Sequence, residues 1–357
     1  ESQLAEQPDT IREMLLAGMQ VARINCAHDN PDIWLKMIRN TKAMSKSTKR
    51  PCKIYIDLAG PKIRTCIAGK GRKKGRMKVQ QDDTIYLTDD TTFDDENLKI
   101  VQCTLKGIIL QLQTGNRVFF DDGKIATKVI QVENNTATLL VTRCRDGATK
   151  LANEKGINFP DTELNVMPLT DYDKKCIPFA AQYGDLLGYS FVRNASDIRL
   201  LKKEIRKSGN KIPHLVLKIE TLQAVNNLPM LLLEGMKENY FGVMIARGDL
   251  ALEIGFERLS EIQEEILWIC EAAHTPVIWA TQVLESLNKS GLPTRAEITD
   301  ASHASFAECV MLNKGIYMRE VLESLHSILQ RTGSHRLKKR YIFRSLSIAE
   351  NFVRKFF

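Results

Sequence analysis

The sequence predicts an α/β fold in which a parallel sheet rolls into an eight-stranded barrel inside a coat of helices, with a small all-β domain inserted. Three observations predict it. Near-continuous apolar runs alternate with amphipathic helical stretches along most of the chain, the pattern of a parallel sheet covered by helices. One stretch, 65–153, breaks that alternation with short β-like runs set apart by turn signals. What remains, 1–64 and 154–332, comes close to the roughly 250 residues of a (β/α)8, or TIM, barrel.

The elements follow in order. Ile11, Met14, Leu15 and Met19 recur at helical spacing, and Gly18 marks the end of that opening helix. Apolar strands are expected at 21–24, 53–59, 186–192, 215–219, 240–245, 277–280 and 309–312. Helices are expected at 197–207, 222–234, 259–273, 295–306 and 317–330. A closed barrel calls for one strand more than these seven, and its place is ahead of the opening helix. Within the insert, β runs at 84–87, 117–120, 125–132 and 137–141 are separated by Asp82-Asp83, Asp122-Gly123, Asn134-Asn135 and Asp146-Gly147. Residues 333–357 form a tail that is first basic and then apolar.

Composition excludes several classes. With 43% hydrophobic and 26% charged residues, the chain is neither a disordered nor a fibrous protein. No apolar run approaches the roughly 20 residues of a membrane span. The net charge of +8 gathers in two clusters, Lys70 to Lys78 and Arg336 to Arg340. Neither is interleaved with the aromatic residues that base stacking requires, so they read as a solvated loop and tail, and nucleic acid is not an expected partner. The eight cysteines form no CxxC pair and the six histidines are dispersed, which removes the case for zinc. Scattered thiols of this kind indicate the cytoplasm or another reducing intracellular compartment, plastid and mitochondrion included.

In such a barrel the reacting groups lie at the C-terminal ends of the strands. Reading those ends gives Arg23 and Asn25 on one face, then Asp57, with Arg64 in the loop that follows. Lys218 and Glu220 share a face, Arg247-Gly248-Asp249 ends another strand, and Thr281 ends the next. Glu220 and Asp249 are two carboxylates at neighbouring strand ends, a natural place for Mg²⁺ or Mn²⁺ with open positions left for substrate. Gly248 permits close approach to the backbone. Arg23, Arg64 and Lys218 add positive charge, which suits a substrate carrying phosphate and carboxylate. Lys218 is placed to stabilise a developing enolate or phosphoryl charge, and Thr281 to relay a proton.

The same residues carry a resemblance to the pyruvate kinase family. Val21-Ala22-Arg23-Ile24-Asn25 with His28, and Asp57 with Gly60-Pro61-Lys62-Ile63-Arg64-Thr65, resemble its second- and third-strand motifs. Phe119-Phe120-Asp121-Asp122-Gly123 resembles its lid motif, and Lys155-Gly156-Ile157-Asn158-Phe159-Pro160 the return from the lid. Lys218-Ile219-Glu220, Ala246-Arg247-Gly248-Asp249-Leu250, Ala280-Thr281-Gln282 through Ser286 and Pro293 through Glu297 complete a match running in order over 11–332.

The resemblance implies transfer of a phosphoryl group from phosphoenolpyruvate to ADP, giving pyruvate and ATP. It implies that Glu220 and Asp249 hold the divalent metal and that Arg23 binds phosphate. Lys218 would contact the transferred group, and Ala246, Gly248 and Thr281 would line the phosphoenolpyruvate site. Asn25 and Asp57 would face a monovalent cation, and His28, Arg64 and Lys155 the nucleotide, while Asp122 would descend with the lid.

The departures are specific. Typical members have Ser at Ala27 and Thr at Leu58, both helping to hold K⁺, and commonly Glu at Lys62. The Lys62 ammonium is expected to take the role of K⁺, so that K⁺ is not required. The family's Ser-Gly-Glu-Thr run appears as Asn313-Lys314-Gly315, and its C-terminal regulatory domain has no counterpart in the chain as given. Two other readings stay open beside the kinase: a metal-enolate lyase on the same barrel, and a non-catalytic binding protein. A homo-oligomer is compatible with all three.

Overall fold

The computed structural model describes residues 5–162, 166–209, 212–237, 240–335 and 346–356. The chain divides into two compact units. The first comprises the chain up to Gly60, Pro168–Arg247 and the chain from Ser260 onward; the second comprises Pro61–Met167 and Gly248–Leu259.

The first unit is built on seven parallel strands: β1 (Val21–Asn25), β2 (Lys53–Asp57), β3 (Leu186–Tyr189), β4 (His214–Ile219), β5 (Phe241–Ala246), β6 (Val277–Ala280) and β7 (Cys309–Val310). Each pairs with the next along the chain. A sheet wound in one direction without reversal is the curled sheet of a TIM-type barrel, not that of a doubly wound fold. The eighth strand expected from the sequence is not among the described residues.

Helices join these strands, and local chemistry sets their ends. Asn30 caps Pro31–Thr48 by accepting from the Asp32 and Ile33 N–H groups, and Lys49 ends that helix in the left-handed conformation. Trp34, Met37, Ile38 and Thr41 form its buried stripe. Reciprocal capping boxes start Asp171–Tyr183 (Thr170 with Asp173), Ala195–Lys207 (Asn194 with Asp197) and Arg295–His303 (Thr294 with Glu297).

Two helices depart from the sequence reading. The stretch 222–234 is not one helix but two, Leu222–Asn226 and Leu228–Gly235, because Pro229 cannot continue the first and opens the second. A further helix, Arg247–Ile254, follows β5 directly. The tail also carries a helix, Ser347–Phe356, whose first N–H groups are met by the buried Glu265 carboxylate. The basic cluster from Arg336 to Arg340 lies outside the described residues.

The second unit is mostly β. A seven-stranded sheet runs in the order Ile157–Asn158, Arg117–Phe120, Ile125–Glu133, Thr136–Cys144, Thr84–Thr88, Lys99–Cys103, Thr65–Gly69, beside the ribbon Arg76–Gln80 and Ala148–Ala152. Alternate residues such as Ile85, Leu87, Val118, Phe120, Leu139 and Val141 fill its core. Asn134 and Asn135 both take positive φ in the two-residue loop of the long hairpin, the geometry Asn tolerates best among side-chain-bearing residues.

One backbone position in the first unit decides what its sheet can hold. Gly188 on β3 stands opposite Asp57 on β2 and Val216 on β4. A Cβ there would lie inside van der Waals contact of the Tyr55 hydroxyl and the Asp57 carboxylate. Gly188→Ala is therefore expected to destabilise the protein by about 2–3 kcal/mol, since backbone and buried carboxylate would have to shift together. Urea unfolding checks this; an unchanged midpoint would show that the neighbourhood can relax.

Candidate active site

The first unit gathers four charged side chains at the ends of β1, β2 and β4. Asp57 is fully buried. Its carboxylate accepts from Arg23 Nε at 2.9 Å and from an Arg23 Nη at 2.5 Å. The Tyr55 hydroxyl donates to it at 3.3 Å, and the Lys218 ammonium stands 3.4 Å away. Lys218 also lies 3.1 Å from Glu220 and donates to Ser190 Oγ at 2.7 Å. The Ser190 hydroxyl donates to the Leu58 carbonyl at 2.7 Å, and Glu220 accepts the Phe191 N–H at 2.6 Å.

Strand geometry explains the assembly. Tyr55 and Asp57 are two apart and share a face, as do Val216 and Lys218. Lys218 and Asp57 lie two strands apart, about 10 Å at the usual spacing. Gly188 between them carries no side chain, so the ammonium reaches across. Below the charges, Tyr55, Val216, Met244 and Ala280 form an apolar layer.

Burial raises the Asp57 carboxyl, but the Lys218 ammonium and the Arg23 guanidinium outweigh it and hold the group below the usual carboxylate range. Burial lowers Lys218, and Asp57 with Glu220 overcome this and push it above the ordinary lysine value. Both groups are therefore charged at neutral pH.

Other expected residues of this unit have distinct places. Asn25 Oδ1 accepts the Ala27 N–H at 3.0 Å. His28 is exposed, and its carbonyl accepts the Trp34 indole N–H at 2.8 Å. Ala246 is buried at the end of β5. Thr281 follows β6 with φ of 70°, and its Oγ1 is buried without a partner among the described residues.

The second unit pairs its own expected residues. Lys62 Nζ lies 3.1 Å and 3.2 Å from the two oxygens of Asp249, and Asn158 donates to the same carboxylate at 3.3 Å. Gly248 and Asp249 sit in the first turn of Arg247–Ile254, where the helix dipole favours an acid. One turn on, burial followed by the Asp249 and Asp161 charges pushes the Glu253 carboxyl up to about 7. Lys155 stands 3.2 Å from Asp121, which Lys124 also holds at 2.9 Å. Arg64 donates to the Glu154 carbonyl at 2.9 Å.

The family profile described as "Pyruvate kinase, barrel domain" matches residues 3–318. The chain belongs to the pyruvate kinase family. It is 32% identical over 327 residues to the pyruvate kinase of Debaryomyces hansenii, covering 89% of this chain and 63% of that one. It is 32% identical over 342 residues to that of Thermotoga maritima, covering 95% and 70%. Against that of Geobacillus stearothermophilus it is 30% identical over 336 residues, covering 92% and 55%. The chain thus spans a little over half to about two thirds of these relatives' lengths.

Carboxylate oxygens are the donors that Mg²⁺ and Mn²⁺ take, and Glu220 in the first unit and Asp249 in the second supply that type. Among the described residues no group of three or more His, Cys, Asp or Glu converges. Each unit thus carries an oxygen donor of the type a divalent metal takes, and members of the pyruvate kinase family typically use such a metal.

Three residues of the first unit were not named as site residues from the sequence. Ser190 follows β3, where the apolar run to Val192 hid a strand end. Tyr55 read as core. Arg247 reads from the sequence as the end of a strand, and it opens a helix.

Asp57→Asn leaves the buried Lys218 and the half-buried Arg23 with one anion fewer, and is expected to cost about 3–5 kcal/mol at neutral pH. Because the folded Asp57 value is depressed, its contribution is fully present above the unfolded value near 3.9 and fades as pH falls through the folded one. Because the folded Lys218 value is raised, its contribution is present below about 10.4 and fades as pH rises through the folded value. Urea midpoints of wild type and Asp57→Asn between pH 3 and 11 test both signs; a difference that already shrinks at pH 6 contradicts the Asp57 argument.

Proposed function

We propose that the protein transfers the phosphoryl group of phosphoenolpyruvate to ADP with a divalent metal, giving pyruvate and ATP, and that it does so without K⁺. The observation that carries this reading is the Lys218 ammonium, buried between Glu220, Asp57 and Ser190 at the strand ends. Three acceptors fix it in place, and its raised affinity for its proton keeps it cationic. Such a preorganised charge is what a developing enolate or a phosphoryl group in flight requires.

In this reading the bound metal supplies Lewis-acid polarisation of the substrate oxygens. Arg23, steadied by Asp57, binds the phosphate. Lys218 holds the negative charge that develops as the phosphorus–oxygen bond breaks. The Thr281 hydroxyl stands on the path of the proton that goes to the enolate carbon. Arg64 and Lys155 of the second unit take the nucleotide phosphates. The eight free thiols suit a reducing compartment.

Support for independence from K⁺ comes from the first unit, where the Asp57 oxygens are taken by protein donors. Lys62, expected in the role of K⁺, bonds Asp249, the acid assigned to the divalent metal, and not Asn25 or Asp57. In the full-length protein, Lys218→Met and Glu220→Ala are each expected to lower pyruvate formation by at least about 100-fold. Turnover by wild type should be the same with K⁺ or Na⁺. Lys62→Glu should lower kcat/KM in Na⁺ by about tenfold or more, with K⁺ restoring it. ADP-independent pyruvate release would select a lyase, and metal-dependent phosphoenolpyruvate binding without turnover would select a binding protein.

A further inference from the structure

The chain after β6 is bent in an unusual way. Thr281, Gln282 and Leu284 have φ of 70°, 57° and 49°, and none is glycine. A β-branched residue takes the left-handed region only where its surroundings impose it. One side chain bonds two successive carbonyls at the start of this bend. Arg247 is buried, and its Nε donates to the Ala280 carbonyl at 2.9 Å. One Nη donates to the Thr281 carbonyl and also reaches Asp300 Oδ2 at 3.0 Å, while the other Nη bonds Asp300 Oδ1. The guanidinium lies over the Trp279 ring at 4.6 Å.

The Thr281 hydroxyl is the contrasting feature. Its Oγ1 is buried and bonds to nothing among the described residues. With no hydrogen bond of its own, its direction follows from the backbone beneath it, and Arg247 holds that backbone by two successive carbonyls. A planar fork with several fixed donors does this; a lysine ammonium, a point charge on a flexible stem, does not.

We infer that Arg247, oriented by Asp300, is a positioning residue that imposes the left-handed turn at Thr281 and thereby aims the Thr281 hydroxyl at the carbon to be protonated. The inference rests on the reading of Thr281 as part of the proton path in phosphoenolpyruvate turnover. In this inference Arg247 acts through the turn at Thr281 and not on a reacting atom.

The test uses the full-length protein with Arg247→Lys and Asp300→Asn. Two rates are compared: exchange of pyruvate methyl hydrogens with deuterated water, which needs only the proton step, and ATP formation. In Arg247→Lys the ratio of exchange to ATP formation is expected to fall about tenfold, with the KM for phosphoenolpyruvate changed less than threefold. Asp300→Asn should move the ratio in the same direction by about threefold, and it carries the test if Arg247→Lys does not fold. A purely structural role lowers both rates together, so a wild-type ratio in the folded variants overturns the inference at any level of activity.

Amide hydrogen exchange over 281–284 decides the matter without turnover. Faster exchange confined to that turn in Arg247→Lys supports the brace, and unchanged exchange overturns it. If wild type makes no ATP, the kinase reading fails, and the amide result alone then judges whether Arg247 holds the turn.

Discussion

A fully buried carboxylate at the end of β2 governs the first unit. Removing an ion from water costs several kcal/mol, so Asp57 is tolerable only with its partners in place. Those partners come from two other strands and from its own: Arg23 on β1, Lys218 on β4 and Tyr55 two residues back. Each demand propagates. The reach from β4 to β2 requires a bare backbone at Gly188 on β3. The ring of Tyr55 requires the apolar layer with Val216 and Met244. The Lys218 ammonium, already facing Asp57, brings Glu220 and Ser190 into the same network. The groups that would perform chemistry are the groups that make the sheet's mouth stable, so a variant designed against the one also tests the other.

The second unit solves a similar problem with less burial. Lys62 on Asp249 and Lys155 on Asp121 are cations held by carboxylates. These are preorganised charges, and the anionic ligand of the proposed function would meet cations whose orientation is already fixed. The Glu253 carboxyl adds a further adjustment. Its tendency to keep a proton near neutrality limits the negative charge that accumulates one helical turn from Asp249.

Much of this was legible because parallel strands place reacting groups by a simple rule. Asp57, Lys218 and Glu220 could be picked out as strand-end residues with period-two facing, and the family motifs agreed. What escaped was contact made across the chain. Tyr55 sits in an apolar run, and nothing local says that its hydroxyl meets a carboxylate. The run ending at Val192 continues past the end of β3, so Ser190 was read as strand interior. The helix Arg247–Ile254 was missed because Arg247-Gly248-Asp249 reads as the end of a strand. Without that helix Arg247 had no fixed direction from which to reach Ala280, Thr281 and Asp300. Likewise the inclusion of Gly248–Leu259 in the second unit follows from long-range contacts.

The cluster in the first unit also bears on the monovalent cation. Arg23 and Lys218 contribute two positive charges, and Asp57 and Glu220 two negative, so the set is neutral as it stands. The oxygens that could greet K⁺ are engaged: those of Asp57 by Arg23 and Tyr55, and Asn25 Oδ1 by the Ala27 N–H. The hydroxyls that typical family members carry at 27 and 58 are absent, since the residues here are Ala27 and Leu58. Adding a bare cation to a neutral, buried, donor-filled corner would leave one charge unpaired, which low-dielectric surroundings oppose. A substrate with a phosphate and a carboxylate reverses the balance, because it brings negative charge to a place where the protein's cations are already oriented. In the proposed function the need for positive charge would be met by tethered side chains, and the divalent metal would take a role that no side chain of the cluster can.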